Sequence, residues 1–154
     1  MTAPAMEQPI DFDHIRLSDV DDSRQPLPQD YYTLEINKLE PVKITINKEG
    51  SALKGQSVTV LKGSFTVVDS DKYSSRKVWT DFWTPYKAGQ VGLSKIQTST
   101  GVQQAEGQSI PEWATQFGEL NPPARIQALV DTRKGDDGVE KNQVNPFSIK
   151  PVTN

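Results

Sequence analysis

From position 31 the chain alternates apolar and polar residues with the two-residue period of a half-buried strand. Tyr32, Leu34 and Ile36 oppose Thr33, Glu35 and Asn37. Val42, Ile44 and Ile46 continue the alternation after Pro41, which is expected to break or bulge the ladder. Asn47-Lys48-Glu49-Gly50 reads as a turn. Residues 56–68 form a second strand region, with Val58, Val60, Phe65 and Val67 as core positions and Gly63 as a bulge or bend. Asp69-Ser70-Asp71 turns the chain into a third strand over 77–83. Its two faces are Val78/Thr80/Phe82 and Lys77/Trp79/Asp81/Trp83.

The period then changes. Over 91–99 and 111–120 the apolar residues, including Leu93, Ile96, Trp113 and Phe117, fall at three- and four-residue spacings, which predicts short helices. Pro111 suits a first helical turn and Gly118 an end. Trp113 and Phe117, at helical spacing, read as core. Residues 125–132 return to alternation, with Ile126, Ala128 and Val130 on one face. Lys134-Gly135-Asp136-Asp137-Gly138 is a hairpin signal, with the returning strand over 139–149. The expected fold is mainly β: a five- to six-stranded OB-type barrel with a short helical insert.

The 154 residues suit one such domain, and the 34% hydrophobic content supports one modest core. Charge divides the chain. Residues 1–30 hold seven acids and two bases, whereas the rest holds 15 bases and 13 acids, so a net −3 averages an acidic leader with a mildly basic body. Residues 1–28, with four prolines and no sustained period, read as a flexible acidic leader, and 29–154 as the folded domain. The leader is a solubilising tail, a recruitment arm, or an arm that competes with a polyanion for the body. Its tract Ile10-Asp11-Phe12-Asp13-His14-Ile15 mixes apolar and acidic residues as short docking peptides do.

The strip Arg76 to Lys87 stands out within the body. Its twelve residues carry four of the chain's twelve aromatics and three positive charges. Cations hold phosphates and flat rings stack on bases, the two requirements of a single-stranded nucleic-acid surface. Trp79, Trp83, Tyr86 and Tyr73 are the candidate stacking residues. Arg76, Lys77, Lys87, Lys62 and Lys54 are the candidate phosphate contacts. Lys43, Lys48, Lys72, Arg125, Arg133 and Lys134 are further cations that distant strands could bring to the same groove. Four or five such contacts give a log–log salt slope of roughly −3 to −4 for a single strand. The plainer reading of Trp79 and Trp83 is packing: they share a strand face, and if that face is the core they bind nothing.

Catalysis is poorly supplied. His14 is the one histidine and there is no cysteine, so no histidine-based triad, multi-histidine metal site, thiolate zinc site or disulfide can be built. No glycine-rich phosphate or dinucleotide motif occurs. The pairs and triplets Asp19-Asp21-Asp22, Asp69-Asp71 and Asp136-Asp137 read as turn and solubility residues rather than a Mg²⁺ site. The expectation is a non-enzymatic protein without metal or cofactor. Residues 1–9 lack the regions of a signal peptide, and no apolar run approaches the ~18 residues of a membrane span, so a soluble, cytoplasmic protein is expected.

Several segments resemble one family. Leu27-Pro28-Gln29-Asp30-Tyr31-Tyr32 is similar to its first-strand opening, Leu-Pro-x-Gly-x-Tyr. Lys54-Gly55-Gln56-Ser57-Val58-Thr59-Val60 resembles its second strand, and Tyr73-Ser74-Ser75-Arg76-Lys77-Val78-Trp79 its Tyr-x-Gly-Arg-Lys-aliphatic-aromatic signature. Lys141-Asn142-Gln143-Val144-Asn145-Pro146-Phe147 is similar to its closing Asn-x-Val-x-x-Phe strand. The chain thus resembles, over about residues 27–152, phage-encoded single-stranded DNA-binding proteins of OB fold. Asp30 and Ser75 stand where that family often has glycine. The resemblance implies sequence-independent binding and protection of single-stranded DNA during phage DNA replication and recombination, in the host cytoplasm. Replication or recombination proteins are the implied partners of the acidic leader, with homo-oligomerisation open and no membrane role. The alternative from another class is a small β-barrel module for protein interaction or virion structure that binds no nucleic acid. A metal-dependent nuclease using the aspartate clusters is the third reading.

Overall fold

A computed structural model of the chain describes residues 25–153. It is mainly β. Strands β1 (Asp30–Thr45), β2 (Ser57–Val68), β3 (Lys77–Trp83), β4 (Arg125–Lys134) and β5 (Glu140–Val144) form one antiparallel sheet in the order β3-β2-β1-β4-β5. Helices α1 (Lys87–Thr100) and α2 (Ile110–Thr115) fill the connection from β3 to β4. The element order is that of an OB-type fold, with five strands and two helices. The expected OB-type arrangement is present as one open sheet, with no ladder between its edges. β3 and β5 are its two edge strands, and they meet where the Val144 N–H donates to Thr80 Oγ1 at 2.8 Å.

Pro41, expected to break or bulge the ladder, does neither, and β1 runs through it as one strand. Its irregularity lies between Ile36 and Lys38, and Pro41 stays in register with Leu61. The reason is hydrogen-bond parity. Ile46 N–H donates to Gln56 O at 2.9 Å, so stepping back along the antiparallel ladder puts the Pro41 nitrogen on the side away from β2. β4 pairs only with Asp30 to Glu35, so no ladder bond is lost at Pro41. Gly63 is likewise no bulge. It pairs with Leu39 and Thr80, and its missing side chain makes room for Phe65, whose ring lies 2.7 Å from where a Cβ would sit. Val42, Ile44 and Val58 are only half-buried, because that end of the β1–β2 hairpin projects past the core. β5 stops at Val144, where Asn145-Pro146 starts a short 3-10 turn, Pro146–Ser148.

The core is the inner face of the sheet capped by the helical connection. Leu34, Ile36, Phe65, Val78, Phe82, Ile126 and Val130 come from strands, and Leu93, Ile96, Trp113 and Phe117 from the connection. Each such side chain contributes about 1.5–3 kcal/mol by leaving water. Trp113 also donates from Nε1 to Val102 O at 2.7 Å, so its polar edge is satisfied while its ring meets Phe117 edge-on at 5.1 Å. Ser109 caps α2: its Oγ accepts from the Glu112 N–H at 3.2 Å and donates to Glu112 Oε1 at 3.1 Å.

Helix α1 accepts two glycines in exchange for contact. A Cβ at Gly89 would lie 2.2 Å from the Trp83 carbonyl oxygen, and one at Gly92 would lie 2.8 Å from both Phe82 and Pro146. The first turn of α1 therefore rests directly on the end of β3. Gly89→Ala should push α1 off that strand. A loss of about 2–3 kcal/mol, or a fall in Tm of roughly 5–10 °C by circular dichroism, is expected despite alanine's better helix propensity. An unchanged or higher Tm would show that α1 does not rest on β3 in this way.

Candidate nucleic-acid interface

Burial decides which face of β3 is free. Val78 and Phe82 are each 1% exposed, and the Phe82 ring meets Phe65 at 6.3 Å in the core. Alternation then turns Lys77, Trp79, Asp81 and Trp83 outward. Their cross-strand partners on β2 are Thr66, Ser64, Lys62 and Val60. Trp79 is 66% exposed, the most open of the chain's large apolar side chains among the described residues. Trp83 is half-buried, and its ring lies 6.1 Å from that of Tyr86 at a 39° tilt. Tyr86 is itself 44% exposed and stands at the start of α1.

This face forms one wall of a groove of about 920 Å³. Arg76, Lys77, Trp79, Asp81 and Trp83 line it from one side, and Arg133, Glu140, Lys141, Asn142 and Gln143 from the β4–β5 hairpin. Arg133 and Lys141 are direct cross-strand partners. The groove thus carries four cations against two carboxylates, Asp81 and Glu140. Asp81 is partly engaged by Lys62 of β2 at 3.5 Å, an exposed pair worth at most about 1 kcal/mol. Lys77 is held along the sheet: its Nζ donates to Thr66 Oγ1 at 2.6 Å, and Thr66 Oγ1 donates to Asn37 Oδ1 at 2.7 Å.

The chain's entry closes one end of the groove. Pro26 lines it, and the Gln25 carbonyl accepts from Arg76 Nη2 at 2.5 Å. Leu27 is 1% exposed, and Asn142 holds its backbone from both sides, accepting from its N–H at 2.7 Å and donating to its C=O at 3.1 Å. Leu27 therefore belongs to the body, two residues before the expected boundary at 29. The leader's remainder, residues 1–24, lies outside the described residues together with His14 and Asp19-Asp21-Asp22.

Not all candidates meet here. Tyr73 does not join the groove. Its N–H donates to Ser70 Oγ at 3.0 Å within the turn after β2, and its ring packs edge-on against Tyr32 at 6.1 Å. There it lines a separate hollow of about 490 Å³ with Asp30, Asp69 and Asp71. Lys54 lies in the β1–β2 loop, paired with Glu49. Lys87 follows Tyr86 beyond the groove's lining, and Lys62 reaches the groove only through Asp81. Arg125 is engaged by Glu35 at 3.1 Å and by Asp69 at 3.3 Å. Lys141, Asn142 and Gln143 line the groove without being marked as site residues by the sequence pattern. The available signal was that Arg133 and Lys141 flank the Gly-Asp-Asp-Gly turn at positions that a hairpin sets opposite one another. Among the described residues no group of three or more His, Cys, Asp or Glu side chains could hold a metal ion. No helix there is long and apolar enough to cross a membrane. Neither a scan against protein-family models nor a search of curated protein sequences returns a match.

The hollow beside Tyr73 is also lined by Tyr32. Burial, then the charge of Asp30, raises the Tyr32 phenol above its ordinary value, and its hydroxyl donates to Pro28 O at 2.7 Å. A raised folded pKa means that the unfolded chain ionises first. The Tyr32 contribution to stability is therefore complete below about pH 10 and is lost as pH rises above it. Urea melts at pH 8 and pH 11 should show a smaller loss for Tyr32→Phe than for the native chain. Equal losses would remove Tyr32 as the cause.

Proposed function

We propose that the chain is a non-enzymatic protein that binds and protects single-stranded DNA without sequence preference. Its setting is phage DNA replication and recombination in the host cytoplasm. The observation that carries the reading is Trp79: a large ring, 66% exposed, on a strand whose opposite face buries Val78 and Phe82, flanked by Arg76 and Lys77 and faced across a groove by Arg133 and Lys141. Exposing so much apolar surface has a use when bases cover it, and stacking is tolerant of sequence because every base presents a flat face. Trp83 and Tyr86 continue the platform toward α1.

Ser75 supports the family setting. Its φ is 76°, in the left-handed region that favours glycine, and it stands where the resembled family has glycine. The turn that delivers Arg76 and Lys77 to the groove thus asks for the residue of the family signature.

Trp79→Ala should lose about 1–3 kcal/mol of affinity for fluorescein-labelled oligo-dT, roughly fivefold to 150-fold. Tyr73→Phe should bind as the native chain does. With four groove cations engaged, the log–log salt slope should lie near −3. Absence of binding at low salt, with intrinsic tryptophan fluorescence unmoved by oligo-dT, would overturn the reading and favour a protein-interaction module.

Asp81 should oppose the same ligand. Asp81→Asn removes a groove carboxylate and releases Lys62. It is expected to tighten oligo-dT binding about two- to fivefold at low salt, with the gain fading as the Debye length shortens. Weaker binding would show that Asp81 serves the ligand instead.

A further inference from the structure

We propose that the groove has a second occupant, the acidic N-terminal segment of the same chain, which competes there with nucleic acid. The inference rests on the groove described above. Where the chain enters the body carries it first. Gln25 is tied to Arg76 and Leu27 to Asn142, so both walls of the groove hold the entering chain, and Pro26 lines the groove itself. Whatever precedes Gln25 starts at the groove's mouth.

Charge comes second. Residues 1–24 hold six acids and two bases, against the groove's lining of Arg76, Lys77, Arg133 and Lys141 with Asp81 and Glu140. Reach comes third. Asp19, Asp21 and Asp22 precede Gln25 by three to six residues, a span of up to ~20 Å in extended chain. The seven residues of β3 cover about the same length. The three carboxylates can therefore follow the row from Arg76 to Trp83 without displacing the anchored Leu27. A tether this short holds its own acids near the groove at an effective concentration in the millimolar range, so weak contacts suffice. Nucleic acid then binds only the fraction of molecules whose groove is open.

The test uses the full chain and its Asp19→Asn/Asp21→Asn/Asp22→Asn variant, each also carrying Trp83→Phe so that Trp79 is the open tryptophan; Trp113 is 3% exposed. Acrylamide quenching is read without nucleic acid. At low salt the triple variant should be quenched more strongly, by about 1.5-fold or more, and the difference should vanish near ~0.5 M salt, where the Debye length is only a few ångströms. Its affinity for labelled oligo-dT at low salt should rise about three- to tenfold, as expected if the segment leaves about a tenth to a third of grooves open. Equal quenching at every salt concentration overturns the proposal. Altered quenching with equal oligo-dT affinity places the segment off the ligand's path and overturns the competition. A quenching difference that depends on protein concentration assigns the segment to a second copy and overturns same-chain occupancy. Failure of the binding reading looks different: neither protein retains oligo-dT, whatever the quenching shows.

Discussion

Phe82 fixes the orientation of everything else at the candidate interface. Its ring is held edge-on by Phe65, with Gly92 of α1 pressed close enough to leave no room for a Cβ. A strand cannot bury one residue without turning its neighbours the other way. Anchoring Phe82 and Val78 inward therefore commits Trp79 and Trp83 outward, and no rearrangement of surface residues could reverse that choice short of unseating the core. The exposure of Trp79 is thus a property of the core packing and not of a loop that happens to present a ring.

The glycines of α1 serve the same constraint. Each costs about 1 kcal/mol of helix propensity relative to alanine. They stand where α1 meets Trp83, Phe82 and Pro146, so the helix spends local stability on close approach. That approach holds Trp83 in position, and Tyr86, at the head of the helix, comes to rest 6.1 Å from the Trp83 ring. One packing decision thus supplies both an exposed ring in mid-strand and a tilted pair at the strand's end. The β4–β5 hairpin supplies the facing wall and is tied to β3 through Thr80.

Much of this was legible in the chain, and the failures share a cause. The alternation at 77–83 separated Val78 and Phe82 from Lys77, Trp79 and Trp83, because period two is a local property. The helical spacing of Trp113 and Phe117 marked core for the same reason. Pro41 misled because its effect depends on which side of β1 carries a partner, and that follows from where β4 begins, at Arg125 opposite Glu35. Tyr73 misled because proximity in sequence to Arg76 says nothing of the way a turn closes. The left-handed Ser75 and the Ser70 hydroxyl carry Tyr73 back onto Tyr32 while Arg76 continues into the groove. Lys141 was missed because its relation to the strip depends on the sheet's two edges curling toward one another, a long-range outcome that no local pattern encodes.

The open edge between β3 and β5 gives these separate observations one consequence. In a barrel closed by a full ladder, the backbone groups of those strands would be satisfied by each other. Here a side chain makes the junction, and the entering chain at Gln25 to Leu27 completes it through Arg76 and Asn142. The N-terminal entry is therefore a structural part of the groove's rim. Leu27 is its apolar anchor, and Arg76, a residue proposed for phosphate contact, is at the same time its polar clasp. A ligand that draws on the Arg76 guanidinium must share it with the Gln25 carbonyl or replace it. Any group that engages the Arg76 guanidinium is in that way coupled to the placement of Gln25.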